Sequence, residues 1–376
     1  MNPNWKTGFE IELLAPRTLS RLDLADRIAR ARGGTVRRFF HPQSEPAQVK
    51  GKPSFENLTQ GFEAFDAAGQ PLARFVDDMT LQDGLNRQAT PLPGWYRIIT
   101  DDGRLMRLIV RHCDPEAPLS QVLTPAAALF GTKADAHASA MIKVSDDQGA
   151  SIAIAAPLPG ERERTCEIIT PPLLDDQREA LEFLLGEASA SGFLLPLEGA
   201  VHIHFDAAPL RSAGVIVTLV TALSMHRDAL RHLFDTNPHC RRLGAWPDQL
   251  QQLVANPDFR LLGWPAARKA LATVGLEKYC DFNLVNLINE TANKDTFEVR
   301  ILPASLDTNS IVEKAEFIAA LLHWSVERSG QPLAVPNTLT GLIAVLPLPP
   351  PVRQRWIERA GPKVAGKPLS DASRFR

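Results

Sequence analysis

Residues 8–14 of the chain read GFEIELL, and apolar and acidic residues alternate along this stretch. A period of two is typical of a β-strand that has one buried face and one polar face. Glu10 and Glu12 would therefore project from the same side of the strand. This stretch predicts a sheet whose polar face carries paired carboxylates.

Three later stretches place functional groups in the same way. They are residues 165–170 (TCEIIT, with Glu167), residues 201–206 (VHIHFD, with His202 and His204) and residues 296–302 (TFEVRIL, with Glu298 and Arg300). If these strands lie side by side, four carboxylates, two imidazoles and a guanidinium line one cavity. Carboxylates held that close require cations, and an oxygen-rich site with some imidazole suits magnesium or manganese.

The segments between these strands predict helices and antiparallel hairpins. The predicted helices cover residues 20–33, 176–192, 210–233, 248–254, 266–274 and 309–328. The predicted strand pairs are 95–100 with 105–110, 141–144 with 151–155, and 281–288 with 296–302. There is no βαβ rhythm with a glycine-rich phosphate loop, so neither a Rossmann nor a P-loop fold is expected.

The domain organisation predicted from composition is a single domain over residues 1–360. Residues 41–94 are rich in Pro, Gln, Asn, Gly and Ser, and short apolar runs at 62–65 and 72–75 flank a turn at Ala68-Gly69. We interpret this segment as a hairpin-bearing insertion. Residues 361–376 are expected to form a flexible tail.

Overall charge and cysteine usage narrow the class of protein. The 376-residue chain has 41 Lys plus Arg against 43 Asp plus Glu, a net charge of -2, so it has no field that would attract nucleic acid or an anionic membrane. The four cysteines form no C-x-x-C pair, and the most apolar run, residues 215–223, is about half the length of a membrane span. We expect a cytoplasmic protein that acts on small molecules or peptides.

Each pair of functional groups has an ordinary explanation when it is taken alone. An E-x-E strand is commonly the solvated face of an antiparallel sheet, and E-x-R is commonly a same-face salt bridge. An H-x-H strand can hold partly buried histidines or ligands of zinc. The joint occurrence of these pairs, in this order, carries the functional prediction.

Taken together, these motifs resemble the amidoligase family of carboxylate-amine ligases, relatives of glutamine synthetase and glutamate-cysteine ligase. The matching motifs are G-x-E-x-E at residues 8–12, EIITPPL at 167–173, VHIHFD and TFEVRIL, and the resemblance extends from Gly8 to about His323. It implies an α+β fold: a curved antiparallel sheet of the glutamine-synthetase type with helices on its outer face. It also implies formation of an amide or peptide bond through an acyl phosphate, with ATP and magnesium or manganese as cofactors.

The resemblance also implies roles for individual residues. The metal-holding positions are Glu10, Glu12, Glu167, His202 and Glu298. The nucleotide-binding positions are His204 and Arg300, to which Arg241 and Arg242 are added, and the catalytic positions are Arg300, Glu298 and Glu12. An aspartate turn is expected before the middle glutamate. Asp101-Asp102 and Asp146-Asp147 are both candidates, and the second pair lies at the more usual distance.

The substrates implied are a carboxylate and an amine, each a small molecule or a peptide, and their identity is left open. A homo-oligomer and a glutamine amidotransferase partner also remain open. Two alternatives to a ligase stand beside it: a noncatalytic relative that binds a nucleotide, and a zinc hydrolase that uses His202 and His204.

Overall fold

The computed structural model describes residues 5–43, 54–137, 140–240, 242–290 and 294–361. Twelve strands in these ranges form one sheet, and every pairing between them is antiparallel. The strands are β1 (Thr7–Leu14), β2 (Val36–Pro42), β3 (Glu56–Phe65), β4 (Pro71–Val76), β5 (Tyr96–Thr100), β6 (Ala134–His137), β7 (Met141–Ser145), β8 (Ser151–Pro157), β9 (Thr165–Ile169), β10 (Ala200–Asp206), β11 (Phe282–Asn283) and β12 (Thr296–Pro303).

The strand order places β12, β10, β1 and β9, which carry the predicted site residues, next to one another. It runs β11-β12-β10-β1-β9-β4-β3-β5-β8-β7-β6, with β2 paired to the free side of β3. The strand with Glu10 thus lies between the strand with the two histidines and the strand with Glu167. Chain order alone does not give this arrangement, because β1 and its neighbours β9 and β10 are more than 150 residues apart.

Helices cover one face of the sheet. They are α1 (Arg21–Ala31), α2 (Gly103–His112), α3 (Thr124–Leu129), α4 (Gln177–Ala190), α5 (Ala213–Met225), α6 (Arg227–Leu233), α7 (Asp248–Ala255), α8 (Pro257–Arg260), α9 (Trp264–Leu271), α10 (Val285–Asn289), α11 (Thr308–Glu327), α12 (Leu339–Val345) and α13 (Pro350–Ala360). Phe9, Ile11 and Leu13 of β1 are fully buried in the larger core with apolar residues of α1, α4, α5 and α11. The alternation in GFEIELL therefore separates a packed face from a polar face, as predicted.

A smaller hydrophobic core lies at the other end of the sheet. There α2 and α3 pack against β5, β7 and β8 around Ile98, Ile109 and Val144. The predicted α+β class with a large antiparallel sheet is confirmed.

Three predicted elements are wrong. Residues 105–110 are helical within α2, because Asp102 accepts a hydrogen bond from the backbone N–H of Arg104 (2.6 Å) and starts a helix instead of a hairpin. The single helix predicted for residues 210–233 is broken at His226 into α5 and α6, which are bent by 67°. Most of residues 281–288 are helix α10 or irregular, and only the two residues of β11 pair with β12.

The remaining predicted hairpins are present. Strands β3 and β4 enclose the turn at Ala68-Gly69, and β4 also pairs with β9, so residues of the predicted insertion belong to the main sheet. Residues 44–53 of that insertion and the predicted tail from 362 onward lie outside the described residues. Within the described ranges, no individual helix combines the length and apolarity that crossing a membrane requires; only the bent pair α5 and α6 would meet those limits jointly.

Candidate metal and active site

The strand register brings the predicted site residues together. Glu10 of β1 lies directly opposite His202 of β10, and Glu12 lies directly opposite Glu167 of β9. One strand further, His204 lies opposite Glu298 of β12. All six side chains therefore face the polar side of the sheet and line one cavity of about 440 Å³.

The two histidines contact different sets of carboxylate oxygens. His202 Nδ1 is 3.3 Å from Glu10 Oε2 and 3.6 Å from Glu298 Oε1, and its Nε2 is 3.7 Å from Glu12 Oε1. His204 Nε2 is 3.3 Å from Glu10 Oε1 and 3.9 Å from Glu298 Oε1. Glu10 is thus shared between both imidazoles.

Two groups of ligand atoms are close enough to surround a cation. One consists of Glu10, Glu167 and His202, the other of Glu10, His204 and Glu298, and within each group the candidate donor atoms lie within 4.8 Å of one another. Each group offers two carboxylates and one imidazole. Such oxygen-rich donor sets suit magnesium or manganese better than zinc, which prefers more nitrogen or sulfur.

The orientation of His204 also fits a metal ligand. Its Nδ1 is 3.0 Å from the hydroxyl of Thr296, which fixes the ring, whereas its Nε2 faces the carboxylates of Glu10 and Glu298. A buried imidazole with one nitrogen oriented by a hydroxyl and the other facing two carboxylates has the arrangement of a coordinating histidine. The residues present therefore fit a divalent cation.

Charge is divided unevenly among the carboxylates. Burial by itself would raise the pKa of Glu10 and Glu298, but the neighbouring histidines, together with Arg300 in the case of Glu298, hold both pKa values below the usual range. Burial would lower the pKa of His204, yet Glu10 and Glu298 raise it. These three groups form an attractive cluster.

Glu12 and Glu167 are in the opposite situation. Burial raises the pKa of Glu12 well above its usual range, and the charge of Asp78 adds to the effect. Burial also raises the pKa of Glu167 well above its usual range, with further contributions from Glu10 and Asp78. A bound cation would relieve the repulsion on this side of the cavity.

Glu298 is held in place by two donors. Asn283 Nδ2 donates a hydrogen bond to Glu298 Oε2 (2.7 Å), and Arg300 Nη1 donates to Glu298 Oε1 (2.7 Å). The Nε of Arg300 is buried and has no hydrogen-bond partner among the described residues. The guanidinium therefore retains a donor for a ligand in the cavity.

The cavity extends beyond the carboxylates to a cationic and aromatic side. Arg242, Lys278 and Tyr279 line it, and the guanidinium of Arg242 lies 5.5 Å from the centre of the Tyr279 ring. Arg241, the other predicted nucleotide-binding arginine, lies outside the described residues. A cavity with carboxylates on one side and cations on the other can hold a metal-bound polyanion.

The aspartates favoured from the sequence are not at the site. Asp146 accepts hydrogen bonds from Gln148 N and Ala150 N in the β7–β8 turn, Asp147 is exposed, and Asp102 caps α2. The structure instead places Asp77 and Asp78 in the cavity, directly after β4.

Sequence reasoning missed Asp77, Asp78 and Asn283. The D-D pair that follows the apolar residues of β4 was a usable signal for the two aspartates, but only with the knowledge that β4 pairs with β9. For Asn283, no comparable pattern exists.

Fold and site together define an α+β protein with a carboxylate-rich cavity that is suited to divalent cations. A family model described as "Putative amidoligase enzyme" matches residues 3–322. The chain belongs to this amidoligase family, a family of ligase-type enzymes. No curated protein and no solved structure matched the chain.

Proposed function

We propose that the protein is an ATP- and magnesium-dependent carboxylate-amine ligase that forms an amide or peptide bond through an acyl phosphate, on a sheet of the glutamine-synthetase type. The observation that carries the proposal is the convergence of Glu10, Glu167, His202, His204 and Glu298 on one cavity in a chain of the amidoligase family.

The chemistry requires an activated acid. A carboxylate does not react with an amine at neutral pH, because its oxygen is a poor leaving group. Attack of a carboxylate oxygen on the γ-phosphorus of ATP forms the new O–P bond, breaks the bond to the β-phosphate oxygen and releases ADP. Attack of the amine on the acyl carbon then expels phosphate.

The side chains would divide the work as their positions suggest. Glu10, Glu167, His202, His204 and Glu298 would hold one or two magnesium ions, which would neutralise phosphate charge when bound. Arg300, which is fixed by Glu298 and retains its Nε donor, would stabilise the negative charge of the phosphoryl group in the transition state of its transfer. Glu12, anchored by the Ala200 N–H at 2.8 Å, would complete the carboxylate wall.

The cationic side of the cavity would serve the nucleotide. Arg242 and Lys278, which both lie against the ring of Tyr279, would attract the phosphate chain. The cysteines are all free, which supports a reducing compartment such as the cytoplasm.

The donor geometry argues against the two alternatives. His202 and His204 belong to different donor groups, whereas a zinc hydrolase usually gathers two histidines on one metal. A noncatalytic nucleotide binder would have no reason to keep every carboxylate of the cluster. The ligase is the function that uses all of them.

The proposal is tested by a phosphate-release screen with magnesium-ATP. Pooled amino acids, polyamines and peptides serve as substrates, and mass spectrometry detects a product joined with loss of water. Glu10→Gln, which changes the carboxylate shared by both donor groups, is expected to abolish release, while Glu182→Gln, which changes an exposed carboxylate on α4, should keep it. ATP binding without phosphate release across all pools would favour a noncatalytic binder and contradict the proposal.

A further inference from the structure

A second cavity, of about 220 Å³, adjoins the metal cavity. Asp77, Met79 and Gln82 line both cavities, so segment 77–82 separates them. Arg162 holds this segment by donating to the carbonyl oxygens of Asp78 and Leu81 and by pairing with Asp77. The second cavity therefore has a fixed wall next to the site where we place the chemistry.

Asn57 presents an unpaired amide to this cavity. It lies on β3 opposite Ile99 of β5, is fully buried, and lines the cavity. Neither its Oδ1 nor its Nδ2 has a hydrogen-bond partner in the part of the chain that the structure describes. A buried amide without hydrogen bonds raises the free energy of the folded protein, and a ligand that enters the cavity and bonds to Asn57 would remove this penalty.

Arg97 offers a second unpaired donor on the same face. It lies on β5 directly opposite Thr59 of β3, and Thr59 and Asn57 are two residues apart on one strand. Its Nε is buried and likewise has no hydrogen-bond partner among the described residues. The Asn57 amide and the Arg97 guanidinium therefore face the same space.

The charge and the polarity of the residues that line the cavity indicate the chemical class of the ligand. Arg87, Arg97 and Arg162 are its cationic lining residues and Asp77 is paired with Arg162, so positive charge is in excess. Most of the remaining wall is apolar: Met79, Leu85, Leu158 and Pro159. The ligand should have an anionic end and an apolar body.

The unpaired atoms specify the anionic end. A planar carboxylate can accept hydrogen bonds from a guanidinium and from the Asn57 Nδ2 at once. Asn57 Oδ1 in turn requires an N–H or O–H donor close to that carboxylate. We propose that this cavity, the Asn57 cavity, binds a small α-amino or α-hydroxy acid with an apolar side chain.

Binding can be measured on the full chain without any turnover, so the test does not depend on the ligase proposal. Thermal shift and calorimetry would use L-leucine, its α-hydroxy analogue, 4-methylpentanoate, which lacks the α donor, and leucinamide, which lacks the carboxylate. Leucine or its hydroxy analogue should bind about tenfold more tightly than 4-methylpentanoate, and leucinamide should not bind. Whichever of the two binds more tightly identifies the α donor.

Two variants locate the binding. Arg97→Gln and Asn57→Leu should each weaken binding about tenfold or more, whereas Arg104→Gln, which changes an exposed arginine on α2, should leave it unchanged. Asn57→Leu should also leave the unfolding temperature of the ligand-free protein unchanged or raise it, because no hydrogen bond is lost.

Several outcomes would overturn the assignment. They are failure of leucine and its hydroxy analogue to bind, undiminished binding in either variant, and equally tight binding of inorganic phosphate. A marked fall in the unfolding temperature of ligand-free Asn57→Leu would overturn it as well, because the amide would then have a partner within the protein.

Discussion

Glu10 lies directly opposite His202 on the neighbouring strand, with 3.3 Å between Glu10 Oε2 and His202 Nδ1. The other oxygen of the same carboxylate is 3.3 Å from His204 Nε2. Both candidate donor groups therefore include Glu10, and this carboxylate would serve two cations if both groups were filled.

Replacement of Glu167 by Gln should stabilise the metal-free protein and weaken the stabilisation that a bound metal provides. The pKa of Glu167 is raised because the charged form is buried beside Glu10 and Asp78. A raised carboxyl pKa contributes its full stabilisation below the unfolded-state pKa, and that contribution is lost as pH rises from there through the folded-state value. Above it, the metal-free variant should be more stable than the wild type, by about 1 kcal/mol.

Magnesium or manganese should reverse this ranking. The wild type gains stability from the cation, whereas Glu167→Gln lacks one of its ligands. Urea unfolding followed from acid to alkaline pH, with EDTA or with manganese, measures both effects. A variant that is less stable than the wild type in EDTA, or equally stabilised by manganese, would refute the role assigned to Glu167.

Arg300→Lys should impair phosphoryl transfer and spare metal binding. Lysine keeps the positive charge but lacks the planar fork of donors, in which Arg300 bonds Glu298 through Nη1 and keeps Nε for a phosphoryl oxygen. We expect phosphate release to fall about 100-fold, with the manganese affinity changed less than threefold. A parallel loss of manganese affinity would indicate that Arg300 acts only through Glu298.

Arg162 should be important for stability because it organises segment 77–82. Its guanidinium is mostly buried and pairs with the fully buried Asp77, which also accepts a hydrogen bond from Thr165 Oγ1. Arg162→Ala leaves that carboxylate without its main counter-charge and should cost about 3 kcal/mol in urea unfolding. Arg104→Ala, in an exposed pair with Asp102, is the control and should have no measurable effect. Equal stability of the two variants would contradict this role.

Glu63 should make a pH-dependent contribution to stability away from the site. It lies on β3 between Arg37 of β2 and Arg74 of β4, at 2.6 and 2.8 Å. Burial would raise its pKa, but the two arginines lower it. A lowered carboxyl pKa stabilises the fold above the unfolded-state value of about 4.3, and the contribution disappears as pH falls through the folded-state value.

The expected size is small. Both arginines are more than half exposed, so screening limits the contribution to about 1 kcal/mol. Glu63→Gln should therefore be less stable than the wild type at pH 7, and the difference should shrink as pH falls below 4, in unfolding monitored by circular dichroism. A difference that does not change with pH would assign the effect to packing.

The parts of the site that the sequence predicted are those fixed by local spacing. Glu10 and Glu12, His202 and His204, and Glu298 and Arg300 are each two residues apart on a strand, and alternation forces each pair to one face. Their order along the chain then matched a known family. No single pair was sufficient, since each has an ordinary structural explanation.

The parts that were missed depend on contacts between distant segments. Asp78 reaches the cavity because β4 pairs with β9, and Asn283 contacts Glu298 because a two-residue strand pairs with β12. Neither pairing has a local signal. The aspartates at 101–102 and 146–147 were misleading because Asp also favours helix caps and turns.

Charge within the cluster was also only partly predictable. The strand motifs predicted four mutually repelling carboxylates, but the structure divides them into two kinds of environment. The histidines stabilise the charged forms of Glu10 and Glu298, and Arg300 adds to this effect at Glu298. Burial and the charge of Asp78 destabilise the charged forms of Glu12 and Glu167. This division depends on which strand carries the imidazoles and therefore requires the sheet order.

The most direct measurement is anomalous diffraction from crystals soaked with manganese and a nonhydrolysable ATP analogue. We expect one manganese peak between Glu10, Glu167 and His202 and a second between Glu10, His204 and Glu298, at about 2.0–2.3 Å from the ligand atoms and with the phosphates on the Arg300 side. Manganese bound only elsewhere, or a cavity that binds the nucleotide without any metal, would contradict the metal-dependent ligase.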